Sequence, residues 1–271
     1  MFSNDDFELL IQEIYSRYQY DFRLYSKSSL RRRLEQALIK FHCQNLKEIR
    51  MKVQTEKEFF PQLIAYLTVN TTEMFRDPGY FKSLRENVFP YLKTFPSLKI
   101  WIAGCSTGEE VISFSILLHE AGIKRFIIYA TDINPMNLER AKKAIYDTEQ
   151  VRKASSSYYE AGGTGSLADY YQAAYDSVQF NQDLLSNVVF SDHSLATDAV
   201  FSEMHLISCR NVLIYFEKPL QERVFKLFDE SLVRDGFLGL GSKETLQFSS
   251  IKNKFEVRDR ENKIYQKAWT P

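Results

Sequence analysis

Three cysteines, Cys43, Cys105 and Cys209, and four histidines are all that a chain of 271 residues contains of the softer metal ligands. They are scattered and form no CxxC pair, which argues against a disulfide framework and a structural zinc site, so no metal is expected. Net charge is missing too. Thirty-five Lys and Arg balance 35 Asp and Glu, which disfavours a uniformly basic coat for nucleic acid. Long apolar runs are also absent: FIIYA and ISFSILL fall well short of the roughly 20 residues that span a bilayer. The opening MFSNDDFELL carries acid where a signal peptide needs positive charge. These absences predict a reducing, cytoplasmic protein with no nucleic-acid partner and no direct membrane insertion. What is plentiful is material for a core, with 44% hydrophobic and 14% aromatic residues. At roughly 150 residues per domain, the length fits one large domain or a large plus a small one.

The pattern changes along the chain. Apolar residues recur at Phe7, Leu10, Ile11 and Ile14, and again at Leu30, Leu34, Leu38 and Phe41, at amphipathic-helix spacing. Ser28 and Ser29 are candidate caps for the second helix. A third starts after Glu58, with Pro61 in the tolerant first turn. Residues 1–68 are therefore predicted to form a small helical domain, followed by an interdomain segment over 69–97. From residue 98, short β-rich runs alternate with helical stretches: LKIWIA, FIIYAT, NVVFSD, MHLISC and FLGLGS are predicted strands. That alternation predicts right-handed βαβ units in a mostly parallel sheet over 98–271. The ending FEVRDRENKIYQK adds an antiparallel hairpin around Asp259 to Asn262. A Ser-, Gly- and Tyr-rich stretch at 153–186 interrupts the rhythm and predicts an inserted subdomain, either a partner surface or a compact hairpin.

Polar residues gather at the predicted strand ends. LKIWIA runs into Gly104-Cys-Ser-Thr-Gly108 and then a helix, where glycine permits close backbone approach and the helix start offers free N–H groups. This is neither a Walker loop nor a GxGxxG fingerprint, and a plain strand-to-helix turn reads the same way. Asp132 ends the next strand, where a doubly wound fold keeps its ribose acceptor; it would equally cap the helix at Pro135. Together the two features favour an adenosine-containing ligand. Arg210, Asn211 and Tyr215 follow the fourth strand, over the expected crevice. Asn70, Thr72 and Arg76 cluster between the two regions, where small-molecule sites often lie.

Four segments in this order, LTVNTTEMFRDPGYF, IWIAGCSTGEE, IYATDIN and LISCRNVLIYF, resemble the chemotaxis receptor methyltransferase (CheR) family over essentially the whole chain. The resemblance implies a class I methyltransferase domain, Rossmann-like with an antiparallel last strand, preceded by a small all-helical domain and carrying a small inserted subdomain. It implies S-adenosylmethionine as cofactor, S-adenosylhomocysteine as product, and glutamate side chains of a chemoreceptor or related signalling protein as acceptor. Asn70, Thr72 and Arg76 would contact cofactor and reacting centre. Gly104 and Glu109 would meet the cofactor, Glu109 near its methionine portion, and Asp132 its ribose. Arg210 and Asn211 would add contacts after the fourth strand, and Tyr215 an aromatic beside the transferred methyl. Where many members have His-Asn-Leu, this chain has His193-Ser194-Leu195, so Ser194, water or backbone replaces an amide contact to adenine, with Leu195 beside it.

Such a reaction needs no general base, because a glutamate of pKa about 4.3 is already ionised at neutral pH. Arg76 and Tyr215 are accordingly expected to orient acceptor and cofactor. Neutral overall charge also hides an asymmetry. Within residues 23 to 40, Arg23, Lys27, Arg31, Arg32, Arg33 and Lys40 oppose Glu35 alone. This is either a solvated helix face or, through Arg31, Arg32 and Arg33, a docking face for the acidic helical methylation region of the substrate. A cofactor-bound regulatory module and a small-molecule carboxyl methyltransferase are the competing readings.

Overall fold

The computed structural model describes residues 2–70 and 72–268. Helices α1 (Asn4–Tyr18), α2 (Lys27–Lys40), α3 (Leu46–Thr55) and α4 (Phe59–Leu67) close a core of their own around Leu10, Ile14, Leu34, Ile49 and Leu63. The apolar spacing predicted α1, α2 and α4 but not α3, whose buried face rests on Leu46, Ile49 and Val53 alone. The cap of α2 is Ser26, whose hydroxyl accepts the Ser29 N–H, and not Ser28 or Ser29.

Residues 69–97 are more than a connection. They form α5 (Pro78–Ser83) and, through a π turn at Leu84–Val88, α6 (Phe89–Leu92). Phe75, Tyr80, Phe81, Leu84 and Phe89 are buried there against β1 (Leu98–Ala103) and α7 (Glu109–Glu120), in the core of the sheet domain. Strand β2 (Phe126–Asp132) and helix α8 (Pro135–Lys143) come next.

The insertion begins at Ile145, earlier than the expected 153. Ala144 takes a left-handed φ of 50° and ends α8, and a strand follows at once. Strand β3 (Ile145–Asp147), helix α9 (Thr148–Glu160), β4 (Tyr171–Ala174) and β5 (Ser177–Phe180) make a three-stranded antiparallel sheet in the order β3-β5-β4. Its tyrosines divide by role. The hydroxyls of Tyr158 and Tyr170 both donate to Glu120 of α7, which also pairs with Arg85, whereas Tyr159 and Tyr175 face solvent.

Strands β6 (Val188–Asp192) and β7 (Met204–Cys209), helix α10 (Lys218–Ser231) and strands β8 (Leu232–Leu240), β9 (Phe255–Asp259) and β10 (Ile264–Lys267) complete the chain. The main sheet runs β6-β2-β1-β7-β8-β10-β9. The pairs from β6 to β8 are parallel, and β10 is antiparallel to both its neighbours. This is the class I methyltransferase architecture expected from the sequence. Chain order reverses between β1 and β7, so a crevice opens beyond their carboxyl ends.

Candidate functional site

The cleft at that reversal point is walled on one side by the sheet domain and on the other by the helical domain. Thr72, Arg76, Gly104, Asp132, Leu195, Arg210, Asn211 and Tyr215 line it, all of them anticipated. Gly104 has φ +78°, and a Cβ there would come within 2.5 Å of Val212 Cγ2. Glycine at this position thus lets the loop after β1 press against the loop after β7.

Asp132 sits at the end of β2 with both oxygens engaged. Oδ2 accepts the Ser106 N–H at 2.9 Å, and Oδ1 accepts the Asn134 N–H at 2.9 Å and the Asn137 amide at 3.3 Å. Burial pushes its pKa up, against the pull of these donors. The helix-cap alternative falls to Asn134, whose side chain accepts the Met136 N–H. A carboxylate has about four lone-pair sites, so Asp132 retains acceptor capacity toward the cleft. Beside it the Ser106 hydroxyl lines the cleft, buried and with no hydrogen-bond partner among the described residues. An acceptor with spare capacity, an orphaned hydroxyl and apolar walls from Leu195, Ile133 and Val212 fit a nucleoside with vicinal hydroxyls.

Arg210 is buried, with both terminal nitrogens of its guanidinium engaged. Its guanidinium pairs with Asp77 at 2.8 Å and Glu110 at 3.1 Å, donates to the Arg76 carbonyl at 2.7 Å, and lies 4.2 Å from the Tyr80 ring centre. It fixes the segment that carries Arg76 against the strand end that carries Asn211.

Three anticipated residues stand off the cleft. Glu109 points the other way, accepting from the Thr107 hydroxyl at 2.7 Å and the Gln150 amide at 3.1 Å; its neighbour Glu110 is the acid on the cleft wall. Successive helical residues differ by about 100°, so a Glu-Glu pair at a helix start leaves the choice open in sequence. Asn70 also works from behind, accepting the Asn137 amide at 2.8 Å and donating to the Ala65 carbonyl at 3.2 Å. The Ser194 N–H is bonded to Asp198 at 2.8 Å and its hydroxyl is buried without a partner among the described residues, while Leu195 and His193 form the lining.

No motif or spacing signals the contribution of the helical domain to the cleft. Tyr25, Ser26, Ser29 and Leu30 all line the cleft. Tyr25 and Phe216 form an antiparallel bridge: Ser26 N–H donates to the Tyr215 carbonyl at 2.8 Å and Glu217 N–H to the Leu24 carbonyl at 2.9 Å. The two rings meet edge to face at 4.7 Å. Burial, with Asp132 next in effect, drives the Tyr25 phenol pKa upward, so it stays a neutral donor.

The three arginines of α2 share no common face. Arg31 donates to Asn4 and lies over the Phe2 and Phe7 rings. Arg33 is tucked under α4, donating to the carbonyls of Tyr66 at 3.3 Å and Thr68 at 3.0 Å, and burial lowers its pKa. Arg32 is exposed. Among the described residues no group of three or more His, Cys, Asp or Glu could hold a metal ion, and no helix is long and apolar enough to cross a membrane.

Comparison with known proteins agrees with this geometry. Residues 70–264 match the CheR methyltransferase, SAM binding domain, and residues 5–68 match the CheR methyltransferase, all-alpha domain. A protein of Pseudomonas putida named "Putative methyltransferase Cher3" is 51% identical over 268 residues, 98% of each chain. Proteins named chemotaxis protein methyltransferase are 28% identical in Listeria monocytogenes, covering 83% of this chain and 84% of the relative, and 32% identical in Salmonella typhimurium, covering 71% and 65%. With both domains matched in order, and with the cleft lying where they meet, the chain belongs to the CheR methyltransferase family.

Proposed function

We propose that the protein methylates glutamate carboxylates on an acidic, helical segment of a chemoreceptor or related signalling protein, with Arg76 and Tyr215 facing the reacting groups. The observation that carries this reading is the two-domain cleft, whose sheet side holds the Asp132 acceptor and whose far side is the first turn of α2. S-adenosylmethionine, when bound, supplies an electrophilic methyl on a sulfonium. Thr72, Gly104, Ser106, Asp132, Leu195 and Asn211 would hold it, Asp132 through its remaining acceptor capacity.

The acceptor carboxylate arrives ionised, so the chain needs to move no proton. What it supplies is position and exclusion of water, which together account for a large share of such a barrier. The Arg76 side chain lines the cleft while its own carbonyl is clamped by Arg210, so its backbone is fixed before any ligand enters. Tyr215 is fixed likewise, through its carbonyl, by Ser26. Reaction of an anion with a cation neutralises charge, so a strong cationic clamp on the carboxylate would stabilise the ground state more than the transition state. Arg210 satisfies this requirement because Asp77 and Glu110 neutralise it.

Docking by α2 rests on Arg32, since Arg31 is engaged with Asn4 and the Phe2 and Phe7 rings and Arg33 with the Tyr66 and Thr68 carbonyls. The test is incubation with methyl-labelled S-adenosylmethionine and cell lysate. The reading expects label on a protein, released as methanol by mild base; label on small molecules alone, or base-stable label, refutes it.

A further inference from the structure

Behind the cleft, one buried carboxylate gathers the loop that carries Asn211 and Tyr215. Glu244 follows β8 and is 5% exposed. Its Oε1 accepts the backbone N–H groups of Val212 at 2.9 Å, Leu213 at 2.7 Å and, more weakly, Ile214 at 3.4 Å. Its Oε2 accepts those of Asn211 at 3.0 Å and Gly241 at 2.6 Å. Four successive N–H groups converge because Asn211 takes a left-handed φ of 61°. Backbone nests of this kind bind anions, and here the anion is the chain's own side chain. Burial pushes the Glu244 pKa up and the backbone donors pull it back; with donors facing both oxygens a carboxyl proton would have no acceptor, and this geometry favours the charged form.

Every peptide bond described is trans, so each carbonyl points opposite to the N–H of its own peptide unit. The carbonyls of Arg210 and Asn211 belong to the units whose N–H groups, on Asn211 and Val212, bond Glu244. They therefore point away from Glu244, on the loop that lines the cleft at Arg210, Asn211 and Val212. A peptide whose N–H is bonded to an anion carries more negative charge on its oxygen, through the same polarisation that strengthens chains of hydrogen bonds.

We infer that Glu244 is a positioning residue that makes the Arg210–Val212 wall of the cleft electronegative and so favours a cationic sulfonium there over a neutral thioether. Glu244 touches no ligand; it acts through the two carbonyls. The inference rests on the S-adenosylmethionine reading of the cleft and adds a charge preference to it.

The test compares the affinities of S-adenosylmethionine and S-adenosylhomocysteine, measured by calorimetry on the full chain and on Glu244→Gln. Gln preserves size and removes the charge. The ratio of the two dissociation constants is expected to move more than twofold against S-adenosylmethionine. A ratio within twofold of the parent's overturns the inference, even if both affinities fall, because a merely structural role weakens both ligands alike. Where circular dichroism shows that Glu244→Gln does not fold, Glu244→Asp keeps the charge at shorter reach. It is expected to weaken both ligands by a common factor, and a selective loss of S-adenosylmethionine would overturn the inference. A parent that binds neither ligand removes the cofactor reading itself, whereas a parent that binds both, with an unmoved ratio in the variant, removes this inference alone.

Discussion

Asn137 divides one side-chain amide between Asn70 and Asp132, at 2.8 Å and 3.3 Å. The segment entering the sheet domain is thereby one side chain removed from the acid at the end of β2. Asp132→Asn would oppose an amide N–H to the donors of Ser106 or Asn134, leaving a buried donor unpaired at a cost of about 1–3 kcal/mol. The expected result is a lower melting temperature together with at least a tenfold loss of S-adenosylhomocysteine affinity in calorimetry. Undiminished affinity would remove Asp132 from the cofactor site.

Arg76→Ala should separate activity from stability. Its carbonyl, which anchors Arg210, survives the substitution, while the side chain in the cleft does not. Methyl-transfer kcat/KM is expected to fall at least tenfold with a melting temperature within about 2 °C of the parent. A kcat/KM within twofold of the parent would exclude the side chain from the reaction.

Glu109 and Glu110 should part company. Burial raises the pKa of Glu109 in the folded state above its unfolded value, so the native chain binds the proton more readily. Its charge is then a cost to stability above the raised pKa, and the cost shrinks as pH falls through that value and is gone below the unfolded pKa. Glu109→Gln is expected to melt no lower than the parent at pH 7.5, with its relative advantage shrinking in acid, and to keep its activity. Glu110→Gln weakens the anchor of Arg210 and is expected to lose activity at every pH. Equal activity loss in the two variants would contradict this division.

Arg32 and Arg33 give a second contrast. Arg33→Ala frees the carbonyls of Tyr66 and Thr68 and loosens the segment holding Thr68 and Val69, which line the cleft. It should weaken S-adenosylhomocysteine binding severalfold. Arg32→Ala should leave that affinity unchanged, raise KM for the protein substrate and flatten the salt dependence of its rate, since exposed charges act through a screened field. A salt dependence identical to the parent's would rule out docking through Arg32.

How much was legible follows from what each element must bury. The central strands β1 and β7 match their predicted bounds because both faces are covered, so they read as continuous apolar runs ended by Gly104 and Arg210. Cleft residues at strand ends were legible for the same reason: the fold class fixes where such ends point. The start of the insertion was not, because nothing in the letters Ala144-Ile145 announces a left-handed residue. Residues 69–97 lacked a long period, since a π turn breaks the phase between α5 and α6. Tyr25 and Glu244 were out of reach altogether. Each acts across a fold-level contact, Tyr25 upon Phe216 and Glu244 upon Asn211, that no local spacing encodes.

The bridge between Tyr25 and Phe216 has a thermodynamic corollary. The α2 turn is hydrogen-bonded to the very loop that presents Tyr215, so any protein that docked on the helical domain and any nucleoside held in the cleft would act on one shared element. Any shift of that element would give two such occupants a coupling free energy, and linkage makes it symmetric: the factor by which a docked protein altered nucleoside affinity would be the factor by which nucleoside altered affinity for that protein.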